Sequence, residues 1–254
     1  MKNIVCHLAY VPLRKEPDHR SEQVSQLLFG ETALIVDSRQ EWLRIKSDFD
    51  HYEGWIEKAS VSEADKAFIS SVKRIVNEPL VHIISENSSI LVPAGAEIPD
   101  PDSDGKFIFT KRTWQIQHFD PFALSHKKED ITRTALLFLN VPYLWGGRTI
   151  FGTDCSGFTQ TVFKMHGIKL PRDARDQEKT GSPVGALKDA KPGDQLFFRN
   201  EQGLISHTGI LLRDHEIIHA SKYVRIDKLD DTGIYNREMR SYTHRLNSIR
   251  RQTD

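Results

Sequence analysis

Residues 143–163 read Y-L-W-G-G-R-T-I-F-G-T-D-C-S-G-F-T-Q-T-V-F. Gly146, Gly147 and Gly152 permit tight or left-handed backbone ahead of Asp154-Cys155-Ser156-Gly157. Beyond them the apolar residues take a helical period. Counted from Cys155, Phe158, Val162 and Phe163 fall at i+3, i+7 and i+8, one face of an amphipathic helix, and Gly167 is a stop signal. Cys155 is therefore expected in the first turn of a helix. Unpaired backbone N–H groups there favour negative charge and would lower a thiol's pKa. A nucleophilic cysteine needs that environment.

Downstream, the turn signal Lys191-Pro192-Gly193-Asp194 precedes three expected strands, at 195–199, 204–212 and 216–221. The second carries His207 and the third His219, around a turn at 213–215. A hairpin symmetric about Asp214 sets His219 opposite Gly209 and on the face of His207, two positions along. Diagonal neighbours of this kind lie about 7–8 Å apart at Cα, within side-chain reach of a shared group. A slip of one residue would put the histidines on opposite faces. The Cys155 helix is expected to pack on that shared face. Cys155 would then be the nucleophile, His207 its general base, and His219 the residue orienting and charging His207. Singly, each has an ordinary structural explanation; their conjunction with the glycine loop points to catalysis. Cys6, His7, His19, His51, His82, His118, His126, His166, His215 and His244 have no comparable context and are expected to be structural or solvated.

Upstream, residues 129–139 carry Ile131, Ala135, Phe138 and Leu139 on one helical face, ended by Pro142. Helices followed by adjacent strands imply an α+β domain over 126–254. Residues 1–60 read as all-β, with strands within 5–11, 24–29, 32–37, 42–45 and 54–56 and a loop at 12–17. Residues 61–125 repeat the theme: strands at 72–76 and 80–84, a strand and turn over 88–99, another at 107–109. Trp114-Gln115-Ile116 stands where the first domain has Trp42-Leu43-Arg44-Ile45. The loop D-P-D-S-D-G at 100–105 lacks the terminal glutamate of a calcium loop and reads as a solvated turn.

Composition narrows the partners. At 254 residues, 38% hydrophobic and 28% charged, the chain suits two or three globular domains. Lys+Arg and Asp+Glu balance at 35 each, which gives no reason to expect nucleic acid or an anionic membrane. Two cysteines make no disulfide framework, and no metal-ligand spacing occurs, so no metal or other cofactor is expected. No apolar run is long enough to span a membrane. The first twelve residues are interrupted by His7 and Pro12 and read as a strand, not a secretion signal. The expectation is a monomer, either cytoplasmic or exported with its leader removed.

The motifs Y-x-W-G-G, T-D-C-S-G-F, P-x-x-A, P-G-D-x-x-F-F, S-H-T-G-I and I-I-H-A together resemble the NlpC/P60 cysteine peptidases over nearly all of 126–250. The W-x-x-I and G-W-I of the first domain are similar to a bacterial SH3 domain, and 61–125 to a degenerate second copy. The whole resembles the γ-D-glutamyl-L-diamino acid endopeptidases that cut free murein peptides. That resemblance implies a papain-like catalytic domain behind two small SH3-like barrels. It also implies hydrolysis of the amide between D-γ-glutamate and meso-diaminopimelate or L-lysine, in peptides with a free N-terminal L-alanine. By the same resemblance Cys155, His207 and His219 form a triad, and Tyr143 supplies a hydroxyl beside the nucleophile. Asp154 and Ser156 hold substrate, and Arg172-Asp173 is the stretch whose aspartate faces the peptide amine. Glu31 and Tyr52, in loops of the first domain, are candidates to wall the same end. Two alternatives stand: an inactive cell-wall binding module, and another amidase or acyltransferase of this superfamily.

Overall fold

The computed structural model describes residues 2–118 and 131–252. The chain divides into two compact units, Met1–His126 and Lys127–Asp254. Among the described residues no helix is long and apolar enough to cross a membrane. The expected boundary at 125/126, His126, and the start of the 129–139 helix lie outside the described residues.

The first unit is almost all β. Seven short strands between Asn3 and Ala64 form one antiparallel sheet, and a small core of Ile4, Leu13, Leu27, Ile45 and Ile56 lies against it. Residues 80–116 add a four-stranded antiparallel sheet. A second apolar cluster joins Val5, Leu28 and Phe29 to Ile83, Ile98, Phe109 and Trp114, so the two sheets share buried side chains. The loop expected at 12–17 is partly a strand, Tyr10–Arg14. Pro12 is tolerated in it because burial of Val11 and Leu13 holds the strand in place. In the acidic turn, Asp102 Oδ1 accepts from the Asp104 and Lys106 backbone.

The second unit is also richer in strand than the α+β expectation suggested. Among the described residues its α-helices are Ile131–Leu136, Cys155–Met165 and the single turn Ala174–Gln177. The first ends at Leu136, before the expected Leu139. It tightens to i→i+3 bonds after Leu136, which buries Phe138 but turns Leu139 outward. In its seven-stranded sheet four strands go beyond the expected three: Ser182–Val184, Tyr223–Asp230, Gly233–Asn236 and Ser241–Arg251. The 11-residue Ser241–Arg251 pairs through its first half with Gly233–Asn236 and through its second with Gln195–Arg199. The sheet therefore closes on itself as a six-stranded barrel, which removes its edges. Leu196, Phe198, Leu211, Ile217, Leu229, Ile234 and Ile249 fill the interior.

Candidate active site

Local chemistry starts the Cys155 helix where the sequence predicts. Asp154 is its N-cap, accepting from Gly157 N at 2.7 Å, and the helix runs to Met165. Gly157 is required by a close approach: a Cβ there would stand 2.0 Å from the carbonyl oxygen of Gly147. Gly167 closes the far end at φ +75°, its N–H donating to Lys164 O.

The Ile205–Arg213 and Glu216–Ser221 strands pair with Gly209 opposite His219, the register expected from symmetry about Asp214. A bulge after Leu211 then absorbs the two-residue turn, whose His215 sits at φ 59°. Cross-strand partners share a face, so His207, Gly209 and His219 point into the barrel with Leu211 and Ile217. His207 Nε2 lies 2.8 Å from His219 Nδ1.

The helix packs on the other face, which corrects the expectation that it covers the histidines. Alternation puts Gln195 and Thr208 on the outer face. There Gln177 Oε1 accepts from both Gln195 and Thr159, and Thr159 belongs to the Cys155 helix. Only the first turn of that helix comes round to the histidine end. The backbone of Thr208, the neighbour of His207, acts on the Cys155 sulfur and favours its thiolate form.

Electrostatics overturn a second expectation. Burial pushes the Cys155 thiol up to about 12, and the Asp154 charge adds to it; the Thr208 and Ser156 backbone and the Arg172 charge pull the other way without prevailing. The helix start is outweighed because the sulfur has left water. His207 is held well below 6.5, first by burial and then by repulsion from His244 and His219. His219 is also lowered, burial exceeding the help it receives from a carboxylate. Both imidazoles are therefore neutral near pH 7, against the expectation that His219 charges His207.

Comparison with known proteins settles the family. Residues 140–243 match the NlpC/P60 family, and residues 13–61 match the bacterial dipeptidyl-peptidase Sh3 domain. The chain is 32% identical over 237 residues to the gamma-D-glutamyl-L-lysine dipeptidyl-peptidase of Bacillus subtilis (strain 168), covering 85% of this chain and 78% of that one. This chain belongs to the NlpC/P60 family. A protein of the same name from Bacillus cereus is 28% identical over 247 residues, covering 82% of this chain and 71% of that one. The crystal structure of an NlpC/P60 family protein from Bacillus cereus superposes with a TM-score of 0.83 at 21% identity, over 99% of this chain and all of the other; it bears on the fold alone.

Within the NlpC/P60 segment, Asp154, Ser156 and Arg172 form one buried cluster. Arg172 Nη1 donates to Asp154 Oδ1 at 3.0 Å and to Ser156 Oγ at 2.9 Å, and its Nη2 donates to Asp154 Oδ2 at 2.5 Å. Gly146 N also donates to Asp154 Oδ2, so this carboxylate ties the glycine loop to the helix start. Asp173 is half-buried with Arg175 3.6 Å away. Tyr143 is half-buried; desolvation, then the Cys155 and Asp154 charges, push its hydroxyl up, so it remains a donor. Glu31 and Tyr52 belong to the other unit. Glu31 is buried and its Oε2 accepts from Leu28 N at 2.8 Å; Tyr52 is half-buried in the loop before the Glu53–Glu57 strand.

Two residues without an expected role lie at the histidine end of the barrel. Asp227 Oδ2 is 3.1 Å from His219 Nε2. His244, from the closing strand, stacks on His207 with ring centroids 4.0 Å apart and planes 25° off parallel. Neither was legible, because both strands that carry them were missed. Ring nitrogens of His207, His219 and His244 lie within 4.8 Å of one another. Rings stacked this nearly parallel cannot aim two in-plane lone pairs at one ion, so a metal would require His244 to turn.

Proposed function

We propose that this chain is a cysteine endopeptidase that hydrolyses the amide between D-γ-glutamate and the diamino acid of murein peptides. The observation that carries the reading is the buried Cys155 at a helix start, together with the buried His207 whose Nε2 lies 2.8 Å from His219 Nδ1. The names of the two Bacillus relatives support the γ-D-glutamyl bond, and with it L-lysine as one acceptable diamino acid.

In this mechanism Cys155 attacks the carbonyl as His207 takes its proton, and a neutral resting pair means that charge separates only during attack. Tyr143 and the Cys155 backbone N–H donate to the developing oxyanion, in a site dry enough for such donors to matter. His207 returns the proton to the leaving amine, and water then clears the acyl-enzyme. Asp173 holds the free amine of an N-terminal L-alanine; its carboxylate is half-buried, with Arg175 3.6 Å away. The Arg172–Asp154–Ser156 cluster shapes the floor under that end.

The same proposal takes the catalytic domain as a papain-like α+β fold over 126–254, preceded by SH3-like barrels at 1–60 and 61–125. The separate antiparallel sheets before residue 118 support two barrels. Mass spectrometry after mixing the protein with L-Ala-γ-D-Glu-meso-diaminopimelate or L-Ala-γ-D-Glu-L-Lys tests the function. Release of L-Ala-D-Glu by wild type and not by Cys155→Ala is expected; no release from either peptide would favour an inactive module or another amide. Equal rates on N-acetylated peptides would remove the free-amine requirement.

A further inference from the structure

The two histidines do not end the buried polar row. Across the next strand pair Arg225 stands opposite His219, and Asp227 lies two residues further on the same face. Asp227 Oδ2 is 3.1 Å from His219 Nε2, Arg225 Nη2 donates to Asp227 Oδ1 at 3.0 Å, and Asp227 is 6% exposed. Arg225 reaches outward to Glu238 at 3.5 Å. A chain of contacts thus runs from the barrel wall to His207.

We propose that Asp227 is a positioning residue: by accepting the Nε2 proton of His219 it fixes the tautomers of both histidines, so that His207 keeps its Nδ1 lone pair for the Cys155 proton. The inference rests on the proposed roles of Cys155 and His207. Its logic is a count of protons. Burial tends to raise Asp227, but the hydrogen bonds from His219 and Arg225 win, so it is an ionised acceptor. A neutral His219 that donates through Nε2 has only a lone pair at Nδ1. The 2.8 Å contact must then be filled by a proton on His207 Nε2. His207, neutral as well, is left with a bare Nδ1. When the thiol is activated its proton moves from Sγ to Nδ1, leaving a thiolate and an imidazolium; the Nε2 protons of both rings stay where they are. Without Asp227 the contact could be filled in the opposite sense, with His207 protonated on Nδ1 and unable to accept.

In serine triads, mis-setting the tautomer of the base by changing the carboxylate that touches it costs about 10⁴-fold in kcat. One imidazole intervenes here, so Asp227→Ala is expected to lower kcat on the order of 10²-fold with KM little changed. Histidine ¹⁵N chemical shifts of the free protein, at pH 7.5, read the tautomers directly. Wild type should show His207 and His219 both protonated on Nε2, and Asp227→Ala should move His207 toward Nδ1–H. Because that variant strands Arg225, the double variant Arg225→Met/Asp227→Leu, which removes both charges, is measured beside it and should show the same tautomer change. His207 protonated on Nδ1 in wild type would overturn the proposal, whatever the variants do. So would a folded Asp227→Ala with unchanged tautomers and kcat. The spectra need no substrate. The expected tautomers in a protein that cleaves neither peptide would support the positioning role and sink the substrate reading instead.

Discussion

Gly209 stands directly opposite His219, and a Cβ built on it would lie 2.8 Å from His219 Cβ and 2.8 Å from Ile217 Cδ1. The His207–His219 contact exists because the residue between them in the hairpin lattice has no side chain. Gly209→Ala must therefore displace His219 or spread the strands. A loss of about 1–3 kcal/mol in denaturant unfolding is expected from overpacking. A fall in kcat of at least about tenfold (about 1.4 kcal/mol of activation barrier) should accompany it, and wild-type kcat in this variant would refute the spatial argument.

The three barrel histidines make stability pH-dependent in a definite direction. His207 and His219 are lowered chiefly by burial, and His244 is lowered to about 4, again by burial first. Above pH 6.5 each is neutral whether folded or unfolded and has no effect. Below it the unfolded chain takes up protons that the folded chain refuses, so stability falls until pH drops through the folded pKa. Each such group contributes a slope of up to about 1.4 kcal/mol per pH unit. Urea unfolding at pH 7 and pH 5 should show the decline, and His244→Ala should flatten it. A protein equally stable at both values would contradict this account.

Because the same shifts leave His207 unprotonated below its ordinary range, the acid limb of kcat/KM should fall well under pH 6.5. A limb at 6.5 or above would mean that His207 titrates as if exposed.

Cys155, pushed up to about 12, should carry no thiolate at pH 7. The difference in absorbance at 240 nm between wild type and Cys155→Ala measures this. No thiolate band is expected at neutral pH; a clear one would establish a resting ion pair with His207.

Arg172 and Asp154 are both buried and bonded to each other. Arg172→Met leaves a buried carboxylate without its cation and should cost about 3–5 kcal/mol, while Arg172→Met/Asp154→Leu should recover part of that through the removed charge. The recovery is limited, since Asp154 is also the helix N-cap, itself worth about 1 kcal/mol. A double variant no more stable than Arg172→Met would show that Asp154 acts through its cap and loop contacts alone.

The helix start was legible because its signals are local: the glycine loop ahead of Cys155, Gly167 as a stop, and Phe158, Val162 and Phe163 on a 3.6-residue period. So was the His207–His219 pairing, since a short turn and the period of two fix which residues of a hairpin share a face. The motif set that carries the family lies in these same segments. Asp227 and His244 were not legible. Their strands, Tyr223–Asp230 and Ser241–Arg251, mix charged and apolar residues and acquire their register from partners far along the chain.

The sequence by itself determined the helix that begins at Cys155, the hairpin that joins the histidines, and the membership in NlpC/P60, all through neighbours a few residues apart. Tertiary structure decided the rest. Barrel closure set which face meets the helix, delivered Asp227 and His244 to the histidine end, and withdrew the thiol from water. The desolvation penalty on a buried thiolate then exceeded the helix-start attraction. Burial depends on what the whole chain packs around a group, and no local pattern of residues states it.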